Sequence, residues 1–574
     1  MKVGKSNTKS KKKGERQMKK YIKNKCNENQ VKENKCFNYN NGITLVALVV
    51  TIVVLLILAG VSINLVIGQN GLISRAKEAA QKTKNATESE MQGMDDLATQ
   101  IAALSNTQSV FEGGNWNSTL GVCTPKLGTN MVGVYWSDGS KNDNGTYKAS
   151  LTSTEKEVTS DQEEFSWNDW YNYKAETTEK LDSKQSRWAN AKSTVDGSYF
   201  VWIPRYEYKI LSGEHTSTAG KIDVQFINTS TVTPTKDGYK VHPAFTTNLA
   251  LGGWDKELSG IWIAKYEMSM EQTTDNGATW NNVKVKSGNV ALNDTTRVVS
   301  KPNNYSWNYI TISKSFDNSL NYSSMQNTGA NSHLIKNSEW GAIAYLAHSQ
   351  YGRNGNEIGM NTYYVEETVI TGKNDDGTDK TTNYYCEITG FGSKEKNGTQ
   401  IIMDDNKYNG SIGMNASTTG NLYGIYDMNG GCWEYTSALY TKYTNSNGSS
   451  LYDRTKDGSY NNNIDTSQLP SNSSKYVTIY PRNESLLEDD GSINLHYMEW
   501  QYIYGDAIYE TSSEPGRENS WFDNYADSDS ENGEYFFIRG GYFWDGKCAG
   551  IFAFGDNTKN TYYHYSYRIA LVCE

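Results

Sequence analysis

Histidine and proline are scarce in this sequence, and their scarcity limits the sites and folds that the chain can form. Six histidines and eight prolines occur among 574 residues. His242, His333 and His348 have no cysteine or acid at metal-ligand spacing, so we interpret them as structural residues. The sequence also lacks GxSxG, Walker and HExxH motifs, which argues against the hydrolase, nucleotide-binding and metalloprotease sites that these motifs typify.

Positive charge is likewise lacking over most of the chain. The net charge is −10, although residues 1–42 alone carry +10, which leaves −20 on the remainder. Because contact with phosphates needs a basic face, an acidic body of this kind binds nucleic acid poorly. We therefore expect no nucleic-acid partner.

Aromatic residues and glycine, by contrast, are plentiful. Aromatics make up 12% of the chain, a content that argues against disorder. Fifty glycines, together with abundant Asn, Thr, Ser and Tyr, favour strands joined by turns. At 574 residues the chain is too long for one ordinary domain and has ample length for a buried core.

A long hydrophobic run lies near the N-terminus. Residues 43–67 carry no charge, and as a helix they would extend roughly 37 Å, enough to cross a hydrocarbon layer about 30 Å thick. The basic residues 1–42 before the run should stay in the cytoplasm. This pattern predicts a single-pass protein of a bacterial cell membrane with its C-terminal head outside the cell. A cleavable secretory signal fits less well because the run is too long.

A glycine stands directly before the apolar run. The sequence Gly42-Ile43-Thr44-Leu45-Val46 resembles the processing site of type IV prepilins and pseudopilins. The resemblance implies that the membrane and a prepilin peptidase are partners, and that the peptidase cuts between Gly42 and Ile43 and methylates the new N-terminus. Ala47 departs from that family, which usually has a glutamate there, and this argues against assembly into a filament. A plain signal anchor is the alternative.

Three further segments follow the run. Residues 68–106 are rich in Ala, Glu, Lys and Gln with apolar residues at helical spacing, and they predict a helical stalk. A helix docked on its own head is the alternative. Residues 107–196 mix aromatic and polar residues without a repeat or a catalytic motif, so we treat them as a lead-in region of uncertain fold. Residues 197–574 carry sharper signals and form the predicted head.

Two strand-like segments and one helix open the head. Residues 199–206 (YFVWIPRY) and 261–267 (IWIAKYE) are near-repeats of one apolar strand type that ends in a basic residue. Residues 337–340 (NSEW) open a helix, because a capping residue is followed by an acid in the first turn. Its predicted apolar face is Trp340, Ile343, Ala344 and Ala347.

Three more motifs complete the head: GIYDMNGGCWEY at 424–435, IRGG at 538–541 and YRIALV at 567–572. With the NSEW helix they resemble, in order, segments of the formylglycine-generating-enzyme family. The resemblance covers residues 197–574 and implies a modified C-type lectin fold. The whole sequence thus predicts the α+β class, with a long N-terminal membrane and stalk helix followed by a formylglycine-generating-enzyme-like, C-type lectin-fold head.

The enzymes of that family use two cysteines soon after the glycine pair. Here the stretch after Gly541 holds only Cys548, and Asp545 stands where the first cysteine is expected. Because a two-thiolate copper site needs both sulfurs, we predict that the chain is not an enzyme and has no catalytic residues. Cys548 is then a small buried hydrophobe or half of a disulfide. Five cysteines follow the apolar run, and this odd number leaves at least one without a partner in the same chain.

The GIYDMNGGCWEY segment also forms a calcium site in that family. Carried over residue by residue, the resemblance implies side-chain ligands from Asp427 and Glu434, and carbonyl ligands from Gly430 and Cys432. Hard oxygen ligands of this kind suit Ca²⁺. A turn whose acids accept hydrogen bonds from backbone N–H groups is the alternative.

The last stretch, residues 535–574, carries the predicted ligand-binding surface. Apolar runs at 535–538 and 569–572 predict buried strands, whereas the segments between them are rich in Tyr, Trp, Asn and Asp, which suit contact better than burial. The glycine pair, an AGIFAF spine at 549–554 and two polar-aromatic clusters resemble the variable proteins of diversity-generating retroelements. An ordinary polar loop is the alternative. The predicted ligand-binding residues are Tyr542, Phe543, Trp544, Asp545, Lys547, Asp556, Asn557, Lys559, Asn560, Tyr562, Tyr563, His564 and Tyr565.

Together these features predict a membrane-anchored adhesin or receptor, displayed at the cell surface, that binds a protein or glycan ligand. The C-terminal stretch fits the variable protein of a diversity-generating retroelement. A minor pilin and a formylglycine-generating-type oxidase are the alternatives. Ala47 argues against the pilin, and the missing second cysteine argues against the oxidase.

Overall fold

The computed structural model divides the chain into two units, Met1–Gln108 and Ser109–Glu574. The predicted leader (1–42), membrane span (43–67) and stalk (68–106) lie outside the described residues, all of which belong to the second unit. The structure describes residues 114–141, 148–158, 167–173, 186–286, 290, 292–394, 403–440, 475–480, 503–513, 519–526, 535–557 and 562–573.

The described residues form 24 strands and four α-helices. The strands are β1 Trp116–Asn117, β2 Val122–Cys123, β3 Met131–Ser137, β4 Thr154–Glu157, β5 Asn190–Ser193, β6 Tyr199–Pro204, β7 Tyr206–Ser212, β8 Lys221–Phe226, β9 Lys240–Val241, β10 Gly260–Ala264, β11 Ser269–Gln272, β12 Asn281–Val283, β13 Thr296–Val299, β14 Asn331–Leu334, β15 Tyr364–Lys373, β16 Asp379–Glu387, β17 Trp433–Tyr440, β18 Thr478–Tyr480, β19 Asn519–Ser520, β20 Asn524–Tyr525, β21 Tyr535–Gly540, β22 Gly550–Asn557, β23 Tyr565–Tyr567 and β24 Ile569–Val572. The helices are α1 Trp167–Trp170, α2 Ile312–Gln326, α3 Asn337–His348 and α4 Ser411–Asn415.

This architecture corrects two predictions. The described residues are predominantly β, and their longest helix, α2, has 15 residues, so the predicted α+β class with a long N-terminal helix before a C-type lectin-fold head is wrong. Short β-branched and aromatic runs separated by glycine and asparagine turns account for the strands. No helix within the described ranges is long and apolar enough to cross a membrane, a finding that contradicts the predicted transmembrane helix and single-pass localisation. Residues 43–67, on which that prediction depended, lie outside those ranges.

A seven-stranded sheet forms the first half of the core. Its strands lie in the order β14-β24-β10-β6-β5-β3-β4 and pair antiparallel throughout. The two near-repeated sequences provide neighbouring central strands, β6 and β10, in which Trp202 stands opposite Trp262 with ring centroids 5.2 Å apart. Both indoles are buried. The prediction that these two segments are apolar strands is confirmed.

A five-stranded sheet carries most of the C-terminal stretch. Strands β18, β17, β21 and β22 follow one another in the sheet, and β23 pairs with the N-terminal end of β17. The apolar runs predicted as strands at 535–538 and 569–572 lie in β21 and β24. Because β24 belongs to the seven-stranded sheet, the chain passes from one sheet to the other within residues 565–572.

Helix α3 packs against the second sheet. The predicted helix begins at Asn337, and the Glu339 carboxylate accepts the N–H of Lys336 at 2.9 Å, which caps its first turn. Trp340 donates its indole N–H to the carbonyl of Ile551 in β22 at 2.7 Å. Every residue of α3 is buried, so the helix is enclosed on all sides and has no solvent-facing side.

Arg539 ties β21 to its surroundings. Its Nε donates to the Ala553 carbonyl at 3.0 Å, and its two terminal nitrogens donate to the carbonyls of Asp506 and Ala507, each at 2.9 Å. The guanidinium is fully buried and lies 5.5 Å from the centroid of the Trp340 ring. One side chain therefore satisfies three buried carbonyls from two separate segments, residues 503–513 and β22.

Replacing Arg539 by methionine should destabilise the fold strongly. Methionine keeps the length of the side chain but leaves three buried carbonyls without their donor, so the free energy of unfolding should fall by about 3 kcal/mol. Urea unfolding followed by tryptophan fluorescence measures the change. Lys373→Met is the control, because Lys373 is largely exposed and pairs with the exposed Asp379, and such surface pairs contribute little. Equal losses in the two variants would contradict the structural role of Arg539.

Candidate functional site

A tight turn after β21 presents the first predicted cluster. Gly540 and Gly541 both have positive φ, +90° and +77°, and a Cβ on Gly541 would lie 2.5 Å from the Cα of Ala549. Only glycine fits this close approach. The Asp545 carboxylate then accepts the N–H of Tyr542 at 3.0 Å and closes the turn. The residues between are thereby held in one orientation.

Rings from three chain segments meet beside this turn, and we call them the aromatic face. Trp544 lies 5.0 Å from Tyr364, 5.0 Å from Tyr385 and 5.7 Å from Tyr563 between ring centroids. His564 lies 4.7 Å from Tyr542 and stacks on Tyr562 at 5.3 Å with an interplanar angle of 16°. The aromatic face is Tyr364, Tyr385, Tyr542, Trp544, Tyr562, Tyr563 and His564.

The predicted ligand-binding residues differ in exposure. Tyr562 is 45% exposed and Lys547 is exposed, whereas Tyr542, Trp544, Asp545, Tyr563 and His564 are half-buried. Phe543 and Tyr565 are buried, and Phe543 stacks on Tyr364 at 4.9 Å, so these two rings support the face from beneath. Asp556 and Asn557 end β22, and Lys559 and Asn560 lie outside the described residues.

Sequence reasoning missed two members of the face, Tyr364 and Tyr385. Both lie at the base of the β15–β16 hairpin, where Tyr364 begins β15 and Tyr385 is near the end of β16. Their signal was present in the sequence as two tyrosine pairs, 363–364 and 384–385, flanking an alternating polar segment. That pattern predicts a hairpin with tyrosines at its base.

The aromatic face carries little charge of its own. Burial lowers the pKa of His564 to about 3, so its imidazole is neutral at physiological pH. Burial also raises the pKa of Tyr542, which keeps that phenol protonated. The charge near the rings therefore comes from neighbours such as Lys547.

The residues predicted to bind calcium are buried beneath the face. The two oxygens of Glu434 accept hydrogen bonds from Nε and Nη2 of Arg568 at 2.9 and 2.6 Å. Asp427 accepts hydrogen bonds from the Asn361 amide at 3.0 Å and from the N–H of Gly390 at 2.8 Å. The guanidinium of Arg568 thus takes the place beside Glu434 that a cation would need. Glu434 therefore fits this ion pair with Arg568 better than it fits Ca²⁺.

A second group of acids, which sequence reasoning missed, lies next to these residues. The ligand atoms of Glu267, Glu387 and Cys432 all lie within 4.8 Å of one another, and all three residues are buried. We call them the buried acid–thiol cluster. Glu267 accepts the N–H of Cys432 at 2.8 Å and the hydroxyl of Ser306 at 2.5 Å. Glu267 ends the IWIAKYE strand motif, but nothing in the sequence connected it with Glu387, 120 residues further along.

Gly431 allows the carboxylate of Glu267 to lie close to the turn that carries Cys432. Gly431 has a φ of +70°, and a Cβ there would lie 2.4 Å from Oε1 of Glu267. A side chain at position 431 would therefore collide with the carboxylate that holds Cys432 in place. The buried acid–thiol cluster therefore needs glycine at position 431, the second residue of the pair 430–431.

Negative charge exceeds positive charge in this part of the core. Burial raises the pKa of Asp427 to about 6 and that of Glu434 to about 7, although Arg568 opposes both shifts. Burial and the neighbouring carboxylates raise the pKa values of Glu267 and Glu387 well above the usual range. Burial also raises the pKa of the Cys432 thiol. The site is therefore able to hold protons or a cation.

Hydrogen bonds connect the buried residues with the aromatic face. The N–H of Trp433 donates to the His564 carbonyl at 2.8 Å, and the N–H of Phe543 donates to the Gly431 carbonyl at 2.9 Å. The Asn308 amide donates to the carbonyl of Tyr563 at 2.6 Å. The first two bonds join residues 431–433 to the segments that carry the rings, and the third joins the side chain of Asn308 to the segment that carries Tyr563.

The cysteines of the described part are dispersed. Cys123, Cys386, Cys432 and Cys573 carry free thiols, and the first three are buried. Cys548 is half-buried in a short 3-10 turn, Gly546–Cys548. Asp545, at the position where the family resemblance predicts the first oxidase cysteine, closes the turn by accepting the Tyr542 N–H.

No family model matches the chain, and no curated protein is significantly similar to it. The resemblances to prepilins, to formylglycine-generating enzymes and to retroelement variable proteins therefore stay predictions.

Ionisation of the buried acids should make the protein less stable as the pH rises. The pKa values of Glu267 and Glu387 are raised well above the usual 4.5 in the folded state, so above pH 4.5 the folded chain keeps protons that the unfolded chain has released. Stability from these groups is complete below pH 4.5 and is lost as the pH rises toward their folded-state pKa values. The raised pKa of Asp427 acts in the same direction.

Glu387→Gln tests this prediction, because it removes an ionisable group and keeps its shape. Urea unfolding in EDTA measures the free energy of unfolding. The variant should match the wild type at about pH 5 and be more stable at about pH 8, and the difference in the free energy of unfolding should grow by up to about 1.4 kcal/mol per pH unit. Asp405→Asn, at an exposed position, should give the same small difference at both pH values. An equal loss of stability at both pH values in Glu387→Gln would show that the carboxylate is needed in its ionised form.

Proposed function

We propose that this protein is a non-catalytic binding protein whose recognition surface is the aromatic face. The observation that carries the proposal is the convergence of seven rings from three separate segments, β15, β16 and the C-terminal stretch. Six of the seven rings are half-buried or exposed, and Tyr364 is buried behind them. Tyrosine and tryptophan give large contact areas at low entropic cost, and they are enriched at the centres of interfaces. Rings needed only for a core would be buried, as Phe543 is.

The residues at the rim of the aromatic face suit contact with a partner protein. Lys547 is exposed at one side, and on the hairpin the exposed Glu366 accepts a hydrogen bond from Asn383 at 2.6 Å. An uncharged aromatic centre with a polar rim is the usual composition of a protein interface. The rings also meet mostly edge to face, so they present an uneven surface in place of the single flat ring on which a sugar stacks.

Binding without catalysis agrees with the chemistry of the turn. The position equivalent to the first oxidase cysteine is Asp545, whose carboxylate closes the turn, and His564 is neutral. The retroelement resemblance supports the same surface, because the positions that it implies to be variable include Tyr542, Trp544 and Tyr563. A reverse transcriptase beside a near-copy of the 3′ end of the gene would support that part of the proposal.

Truncation of central rings should weaken binding without unfolding the protein. The full chain is used to select ligands from a random-peptide display library and from a glycan array, and each hit is then measured against variants. Trp544→Ala and Tyr563→Ala should each cost about 2 kcal/mol of binding free energy, roughly a thirtyfold loss of affinity. Trp116→Ala is the matched control, because Trp116 is 38% exposed and lies outside the face.

The outcomes separate the possibilities. Peptide hits that need Trp544 and Tyr563 but not Trp116, with unfolding midpoints close to the wild type, support the proposal. Glycan hits that need Trp544 and Tyr563 but not Trp116 would support the aromatic face as the binding surface and would make the partner a glycan in place of a protein. Variants that unfold, with affinity per folded molecule unchanged, would make the rings part of the core and contradict the proposal.

A further inference from the structure

The buried acid–thiol cluster has more negative charge around it than the described residues neutralise. Glu267, Glu387, Asp427 and Glu434 are all fully or almost fully buried, and Arg568 is the guanidinium that pairs with Glu434. An isolated carboxylate in a protein interior is costly unless it is paired, protonated or bound to a metal. The neutralising partner of Glu267 and Glu387 is therefore a proton or a cation.

The hydrogen bonding of Glu387 supports the same conclusion, that a proton or a cation neutralises the cluster, and it does so without any count of charges. Oε1 of Glu387 accepts a hydrogen bond from the Asn361 amide at 2.5 Å. Oε2 of Glu387 is buried and has no hydrogen-bonding partner among the described residues. Buried polar atoms almost always have a partner, so an oxygen without one beside a second carboxylate and a thiol indicates a missing ligand.

We propose that Glu267, Glu387 and Cys432 bind one divalent cation of the zinc type. Two carboxylates and a thiol lie within 4.8 Å of one another, and Zn²⁺ takes oxygen and thiolate sulfur ligands together, whereas Ca²⁺ takes oxygen ligands only. Binding replaces the thiol proton of Cys432 and any carboxyl protons by the cation, and the released protons go to solvent. The affinity therefore rises with pH.

This site differs from the predicted calcium site in position and in chemistry. The calcium prediction used the side chains of Asp427 and Glu434 and the carbonyls of Gly430 and Cys432, and Arg568 already pairs with Glu434. The new site uses the thiol of Cys432 and two glutamates from β16 and from the segment after β10. It does not depend on the ligand of the aromatic face.

The experiment uses the full chain, stripped of metal with EDTA and dialysed. Zn²⁺ is added and its stoichiometry and Kd are measured by competition with a chromophoric chelator, and Co²⁺ is added separately for absorption spectroscopy. The wild type should bind one Zn²⁺ per chain, should show the near-ultraviolet absorption of a thiolate–Co²⁺ bond, and should unfold at a higher temperature with Zn²⁺ because only the native state holds the ligands in place.

Three variants locate the site. Cys432→Ser should remove the thiolate–Co²⁺ absorption, and Glu387→Gln should weaken Zn²⁺ binding by at least about tenfold while the protein stays folded. Cys386→Ser is the matched control, because Cys386 is also a buried free thiol next to Glu387 in sequence but is not in the cluster. This control should bind both metals as the wild type does.

Other results overturn the proposal. Absence of bound Zn²⁺ with wild-type folding would mean that protons alone neutralise the cluster. Zn²⁺ binding that survives Cys432→Ser and Glu387→Gln, or that is lost equally in Cys386→Ser, would place the metal elsewhere. Stabilisation by Ca²⁺ and not by Zn²⁺, lost in Asp427→Asn, would favour the all-oxygen site at residues 427–434 instead.

Discussion

The buried ion pair between Arg568 and Glu434 holds the two main sheets together. Arg568 stands between β23 and β24, and its Nη1 donates to the carbonyl of Ala264 at the end of β10, in the seven-stranded sheet, at 2.7 Å. Its Nε and Nη2 bind Glu434 in β17, in the five-stranded sheet, and Nη2 also donates to the carbonyl of Tyr426. Removing one partner of such a pair leaves an uncompensated buried charge. The geometry of the acids and of the rings above them depends on this contact.

Much of the fold around that pair could be predicted from local sequence. The apolar runs in β6, β10, β21 and β24 have the composition of buried strands, and the NSEW motif marks the first turn of α3, so elements with a strong local signal were found. The amphipathic reading of α3 was incomplete, because the helix is buried on every side and polar residues such as Asn337 and Glu339 have partners inside the protein. The overall class was wrong because one long apolar run near the N-terminus dominated the prediction, while the described residues form many short strands.

Only part of the candidate site could be predicted from the sequence, because only some of its residues are close together in the chain. The rings from the C-terminal stretch are contiguous in sequence, and their composition alone suggested contact with a ligand. Tyr364, Tyr385, Glu267 and Glu387 reach the site through contacts between segments far apart in the chain, such as those of Tyr364 and Tyr385 with Trp544 and that of Glu267 with Cys432. No local pattern specifies which distant strands become neighbours. The tyrosine pairs indicate a hairpin but not its position beside the C-terminal rings, so placing these four residues in the site required the three-dimensional structure.

The β15–β16 hairpin has two ends with different roles. Its base supplies Tyr364 and Tyr385 to the aromatic face, whereas its outer half is exposed on both sides, and Ile370 is 61% exposed. A two-stranded ribbon with a solvated tip transmits little strain to its base, so the length and sequence of the tip are free to change. Evolution can therefore lengthen or shorten this arm, and an experimenter can insert a fluorophore or an affinity tag at its turn, residues 374–378, while the rings at the base keep their positions.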